Sequence, residues 1–248
     1  MNHTSKRAAL VTGSGTRLGA KIALELARDG CDIALHYFSS EDEAFETQRK
    51  IKKTGRECAL FKGDLTDINF VYELVKVAFS TFPHMNILIN SASLFKRLEI
   101  RDTTPEIFDQ LMSLNVRAPF FLIKEFAKFC RSGNIINILD TKTAMYQNAY
   151  SAYIISKRAL ADLTKLAAVE FAPHIRSNGI CPGIIIPAED ESSEYVEKLK
   201  ARNLLGAKGE PSNITRTVKF ILENGHITGE IINIDGGENI DKGIRIIT

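Results

Sequence analysis

Short apolar runs recur along the chain. Each is followed by a polar or glycine-rich break, and then by a longer segment whose apolar positions return every three or four residues. Ala8–Thr12, Asp32–Tyr37, Glu57–Lys62, Asn86–Asn90, Ile135–Leu139, Arg176–Cys181 and Ile231–Asp235 read as strands. The first helical segment runs from Leu18 to Asp29, with Ile22, Ala23 and Leu26 on one side and Gly30 as its stop. The next is capped by Ser39-Ser40-Glu41, runs to about Lys53 and is closed by Gly55. Asp67 can cap a third helix to Thr81. Thr104-Pro105-Glu106 opens a long helix, in which Pro119 predicts a kink. Tyr150–Phe171 follows, then a short mobile helix over 193–204 and a last helix from Pro211 to Asn224-Gly225.

Strands that are apolar throughout and alternate with helices imply a parallel sheet covered on both faces. The expected fold is α/β, a single-domain Rossmann-type doubly wound parallel sheet of about seven strands spanning 1–248, with helices on both faces. Its first half would bind a dinucleotide, and its second half would carry catalysis and substrate. In such sheets ligands lie outside the carboxyl ends of the strands. Attention therefore falls on Gly13–Gly19, His36–Ser40, Asp64, Asn90–Phe95, Asp140 and Pro182-Gly183.

Composition narrows the classes. The 248 residues are 44% apolar and 25% charged, which suits a globular domain. A net charge of +2 gives no reason to expect nucleic acid or an anionic membrane. Cys31, Cys58, Cys130 and Cys181 form no Cys-x-x-Cys and read as reduced, small hydrophobes of a cytoplasmic protein. No metal site is expected. The N-terminus leads straight into a strand, without an apolar stretch of signal-peptide kind, and no stretch is long enough to span a bilayer.

Candidate chemistry centres on Asp140 to Lys157. Tyr153 and Lys157 stand four apart and share one face of a helix. An ammonium beside a phenol favours the phenolate, so Lys157 is expected to lower the Tyr153 pKa and make it a proton donor. Tyr-x-x-x-Lys is also common on amphipathic helices without any role, and that alternative stays open on these residues alone. The turn Thr12–Gly19 has the pattern Thr-Gly-x-x-x-Arg-x-Gly, which lets backbone amides approach a pyrophosphate or simply punctuates a strand and a helix. Dinucleotide folds that take NAD usually place an acid at the end of the second strand. Here that end is His36-Tyr37-Phe38-Ser39-Ser40, with no acid until Glu41, and Arg17 with the hydroxyls can meet a 2′-phosphate instead.

Together these features resemble a short-chain dehydrogenase/reductase over nearly the whole chain. They are the Thr12–Gly19 turn, Asp64-Leu65, Asn90-Ser91-Ala92, Asn115, Tyr153-x-x-x-Lys157, Pro182-Gly183 and Asp235-Gly236-Gly237, in that family's order and spacing. The resemblance narrows to pteridine reductases and bacterial dihydromonapterin reductases on three local features. Arg17 stands where the wider family has glycine, Asp140 stands thirteen residues before Tyr153 where most members have serine, and Asn90–Phe95 is similar to their Asn-Asn-Ala-Ser-x-Phe segment.

The resemblance implies NADPH as cofactor. The cofactor contacts it implies include Gly13, Arg17, Leu18, Gly19, His36, Tyr37, Ser39, Ser40, Asp64 and Leu65, with Arg17 meeting the 2′-phosphate. Asn90, Ser91, Ala92, Tyr153, Lys157, Pro182, Gly183 and Ile185 complete the implied cofactor-binding set, with Lys157 on the nicotinamide ribose. Pteridine reductases often add an arginine just after the second strand, where this chain has Phe38-Ser39. Ser93, Phe95, Asp140 and Tyr153 would contact substrate, with Phe95 stacking on a pterin, and Asn115 would hold a water linking Lys157 to solvent. A homotetramer is implied as well, since the segments with Phe120, Phe121, Phe126 and Phe129 and with Tyr150–Phe171 look apolar beyond one face. The acidic stretch 188–193 reads as a mobile lid or a solvated loop, and 241–248 as a subunit contact.

Asp140 carries an argument of its own. A serine can donate to a ketone oxygen as it becomes an alkoxide, whereas an ionised aspartate cannot donate and would repel the charge. It can accept from a tyrosine, or from the amino and ring N–H groups of a heterocycle. That chemistry favours a nitrogen heterocycle with a C=N bond over a simple ketone, and together with the resemblance it implies NADPH-dependent reduction of a dihydropterin. The rivals are a carbonyl reductase of the 3-oxoacyl-carrier-protein type and a non-catalytic NADPH-binding protein. A strand-end aspartate that merely caps the next turn is a further alternative.

Overall fold

The structure, a computed structural model, describes residues 6–186 and 203–240. Its strands are β1 (Arg7–Val11), β2 (Cys31–Tyr37), β3 (Cys58–Lys62), β4 (Met85–Asn90), β5 (Gly133–Ile138), β6 (Ile175–Pro182) and β7 (Ile231–Ile234). All seven pair in parallel, in the order β3-β2-β1-β4-β5-β6-β7. The helices are α1 (Arg17–Arg28), α2 (Glu41–Lys52), α3 (Ile68–Thr81), α4 (Pro105–Met112), α5 (Ala118–Phe129), α6 (Ser151–Phe171) and α7 (Pro211–Glu223).

The strands read as unbroken apolar runs because both sheet faces are covered. Side chains alternate across a strand, so Ala8 and Leu10 enter one core with α3, α5 and α6, while Ala9 and Val11 enter the other with α1, α2 and α7. The chain winds outward from β1 to β3, then returns to place β4 on the other side of β1. This reversal opens a crevice between the carboxyl ends of β1 and β4, the expected ligand position. Thr12 closes its floor, with its hydroxyl oxygen accepting from the amides of Ser91 (3.0 Å) and Ala92 (3.1 Å).

The helix opened by Pro105 is distorted by a π-helical turn, Ser113–Arg117, directly before Pro119, which lies in the first turn of α5. One local expectation needs correction: Ser40 stands at the N-cap of α2 without a side-chain capping bond. By contrast, Asp67 does cap α3, accepting from the amide of Asn69 at 2.9 Å. All four cysteines are free and buried. Among the described residues, no helix is long and apolar enough to cross a membrane. Most of the helix expected over 193–204, the acidic stretch 188–193 and the tail 241–248 lie outside the described residues.

Candidate active site

The glycine turn is built for close backbone approach. Gly13 has φ +62°, and a Cβ there would lie 2.8 Å from the Cα of Ala92. A Cβ on Gly19 would strike the carbonyl of Gly13. The turn leads into the N-terminus of α1, whose N-cap Thr16 makes no side-chain capping bond and whose first turn holds no acid. An anionic diphosphate fits such a terminus. Arg17 opens the helix with φ 53°, a left-handed conformation unusual for a residue with a Cβ and often retained at functional sites. Its guanidinium reaches the chain beyond β6 and donates to the carbonyl of Ile186 at 2.8 Å.

His36 and Tyr37 point inward. Burial pushes the His36 imidazole down to about 4, so it is neutral near pH 7. In the matching tautomer Nδ1 accepts from the Gly13 amide and Nε2–H donates to the Gly63 carbonyl, each at 3.1 Å. His36 thus ties the glycine turn to the end of β3. Tyr37 is buried and donates to Glu41 at 3.1 Å. Ser39 is exposed, and Ser40 packs against Gly15, where a Cβ would lie 2.7 Å from its Oγ. Asp64 closes its own turn by accepting from the amide of Thr66 at 2.8 Å, and Leu65 is buried.

Across the crevice, Asn90 Nδ2 donates to Asn137 at 2.7 Å and Asn137 to Thr164 at 2.9 Å, a buried polar chain that locks β4 to β5 and α6. Gly183 is pressed against Asp235, where a Cβ would lie 2.7 Å from Cα. Pro182 ends β6, and Ile185 turns into the core, so neither its side chain nor that of Leu65 offers an exposed apolar face.

The π turn aims Asn115 inward. Its oxygen accepts from the Leu94 amide (2.9 Å) and the Ser93 hydroxyl (3.2 Å), and its Nδ2 donates to the Leu94 carbonyl and the Ser156 hydroxyl (both 3.0 Å). Asn115 therefore fastens the segment after β4 to α6, one residue before Lys157.

Tyr153 donates to Asp140 Oδ2 at 2.8 Å, and Asp140 Oδ1 accepts from the amide of Lys142 at 2.7 Å. Lys157 donates to the Ile138 carbonyl at 2.9 Å, with its ammonium 5.9 Å from the centroid of the Tyr153 ring. The expected depression of the Tyr153 pKa is not found. Burial, then the Asp140 charge and hydrogen bond, hold the phenol well above its ordinary value, and a hydrogen bond with Ser93 is outweighed. Burial also pulls Lys157 down to about 8. The physical reasons are burial first and contact second: the phenol is desolvated and touches the carboxylate, whereas the ammonium lies over the ring and donates to the backbone. Tyr153 therefore keeps its proton.

Phe95 stands beside this pair with 46% of its surface exposed. The Tyr153 ring meets it edge-on at 4.8 Å, and Tyr150 lies tilted at 5.2 Å. Sequence reasoning missed Lys142, Tyr150 and the strut from Thr141 to Asp235, a 2.5 Å hydrogen bond joining the turn after β5 to the end of β7. No local pattern signals them, since each gains its place only through the packing of distant segments.

Comparisons with known proteins identify the family. A family profile described as Enoyl-(Acyl carrier protein) reductase, of the short-chain dehydrogenase type, matches residues 14–239. The chain belongs to the short-chain dehydrogenase/reductase family. It is 33% identical to an uncharacterized oxidoreductase of Thermotoga maritima over 242 residues, covering 92% of this chain and 95% of that protein. It is 29% identical to the 3-oxoacyl-(acyl-carrier-protein) reductase FabG of Staphylococcus epidermidis, covering 93% and 98%. The structure of FolM alternative dihydrofolate reductase 1 from Brucella suis, in complex with NADP, superposes with a TM-score of 0.91 at 30% identity, covering 97% and 98%. As a member of this family the protein is an NAD(P)-dependent oxidoreductase. Identities of 29% and 30% to a ketoester reductase and a dihydrofolate reductase do not choose between substrates, so that choice rests on the site.

Proposed function

We propose that the protein acts in the cytoplasm and uses NADPH to reduce a dihydropterin, such as dihydromonapterin, dihydrobiopterin or dihydrofolate, to its tetrahydro form. The observation that carries the reading is the 2.8 Å hydrogen bond from Tyr153 to Asp140. A carboxylate fills the position from which a ketone reductase donates a hydrogen bond to the substrate oxygen. It has no proton to give, and a growing alkoxide beside it would be destabilised. The N–H and amino groups of a pterin suit it.

The turn around Gly13, Gly19 and the start of α1 fits the cofactor's diphosphate, and Arg17 its 2′-phosphate. The NADP held by the similar Brucella suis structure supports this assignment. NADPH, when bound, supplies the hydride. Tyr153 keeps a proton available at its hydroxyl, next to the nitrogen that must receive one. Asp140 orients both that phenol and the pterin's donor edge. Phe95 offers its exposed face for stacking, and Asn115 holds Ser93 and Leu94 so that the Phe95 ring stays in place. Lys157, buried with its ammonium 5.9 Å from the centroid of the Tyr153 ring, supplies a positive charge that interacts with Asp140.

A homotetramer is part of the same reading. Phe120 and Phe129 on α5 and Leu166 and Val169 on α6 are exposed large apolar side chains, which a neighbouring subunit would cover. A monomer by light scattering at micromolar concentration would remove that part.

The carbonyl-reductase reading keeps one support, the similarity to FabG. Asp140→Ser separates the two. The dihydropterin reading expects a sharp fall in pterin reduction and some gain with small activated ketones, because serine restores a donor. Intact pterin turnover in Asp140→Ser would sink it.

A further inference from the structure

The ammonium of Lys142 has no role in the reaction as described, yet it lies in the substrate region. It is 3.9 Å from Asp140 Oδ1, 5.8 Å from the centroid of Phe95 and 5.4 Å from that of Tyr150. Its side chain is 20% exposed and that of Asp140 18%, so both are largely but not wholly buried. The backbone of Lys142 is fixed by its amide bond to Asp140, and the neighbouring Thr141 by the bond to Asp235. The ammonium is thus presented from an anchored turn and lies against two aromatic rings, an arrangement that favours a cation.

A lone carboxylate in such a crevice would attract a protonated aminopyrimidine. Here each oxygen of Asp140 already accepts one bond, and a positive charge stands within ion-pair distance of Oδ1. Two unit charges at about 4 Å interact strongly in partly buried surroundings. Lys142 therefore opposes a cationic ring at Asp140. It also supplies what the carboxylate lacks, a donor for a ring oxygen beside the ring N–H that Asp140 accepts.

We propose that Lys142 is a specificity-determining residue that makes the site select neutral 4-oxo pteridines, with a lactam edge, over 2,4-diaminopteridines, which bind carboxylates as cations. The inference rests on the dihydropterin reading and names the edge of the ring that the site reads. It concerns binding selectivity and does not require Lys142 to take part in catalysis.

The test is equilibrium binding of two non-reacting probes, pterin and 2,4-diaminopteridine, to protein saturated with NADP+, followed by pteridine fluorescence. Wild type, Lys142→Met and Lys142→Arg are compared. The methionine variant should bind pterin about tenfold more weakly and diaminopteridine about tenfold more tightly. The arginine variant should keep the wild-type order. Opposite directions are decisive, because a merely structural loss at Asp140 would weaken both probes. Equal changes for the two probes, or none, would overturn the role of Lys142 while leaving the dihydropterin reading in place. If wild type binds neither probe, both fall.

Discussion

Replacing Asn115 with leucine keeps a side chain of similar volume in a fully buried position and removes four hydrogen bonds. Not all four are equally costly. Ser156 keeps its bond to the Tyr153 carbonyl at 2.7 Å, and the exposed Ser93 hydroxyl can turn to water. The N–H and C=O of half-buried Leu94 lose the side chain that satisfied both. At about 1–3 kcal/mol for each stranded group, the loss comes to about 3 kcal/mol. Asn115→Asp keeps the acceptor for the Leu94 amide but not the donor to its carbonyl, and should fall between. Urea titrations without cofactor, at one fixed protomer concentration, measure the difference. The leucine variant should also lose pterin turnover, because Ser93 and Phe95 follow the Leu94 segment. A loss of stability below about 1 kcal/mol would mean that Asn115 does not fasten this segment, and the account of how Phe95 is held would fail.

Other expectations follow from the same geometry. Tyr153→Phe keeps the ring but removes the proton, so turnover should drop by about 10²-fold or more with NADPH affinity largely kept; unchanged turnover would take Tyr153 out of the mechanism. Arg17→Ala should weaken NADPH by roughly 1.5–3 kcal/mol and NADH far less; equal losses in titrations of both would mean that Arg17 supports the turn and does not read the phosphate. Acid should expose the role of His36. Its folded pKa, about 4, lies below the ordinary 6.5, so the unfolded chain takes up the proton first as pH falls. Stability from this group is complete above pH 6.5 and is lost on the way down to about 4, a span worth about 3 kcal/mol. The stability difference between wild type and His36→Gln should shrink across that window, and a constant difference would contradict the buried neutral imidazole.

Much of the fold was legible because the strands are covered on both faces, so each announces itself as an apolar run between breakers. Gly30 and Gly55, both at positive φ, mark helix ends as their positions suggest. Pro119 marked the place of the helix distortion, but its form, a π turn over Ser113–Arg117, was not legible. A π turn is a matter of which carbonyl each amide finds, and proline is a louder local signal than the packing that drives Asn115 inward. In the site, Asp140 beside Tyr153 was implied by the resemblance to pteridine reductases, and the chemistry of a carboxylate there by its inability to donate. The direction of the tyrosine pKa could not be read, because it depends first on how deeply the phenol is buried and then on whether carboxylate or ammonium touches it, both matters of packing that sequence spacing leaves open. His36 shows the same limit. Its place at the end of β2 suggests a ligand contact, yet both ring nitrogens are engaged by the backbone.

The central claim is that Asp140, by accepting from Tyr153, fits this family member to a C=N substrate and unfits it for a ketone. The most direct measurement is NADPH oxidation by the wild-type protein, with dihydromonapterin, dihydrofolate and an acetoacetyl thioester followed side by side under one set of conditions. Faster turnover of a dihydropterin than of the thioester is the predicted result. Faster reduction of the acetoacetyl thioester than of either dihydropterin would contradict the account and put the carbonyl reductase in its place.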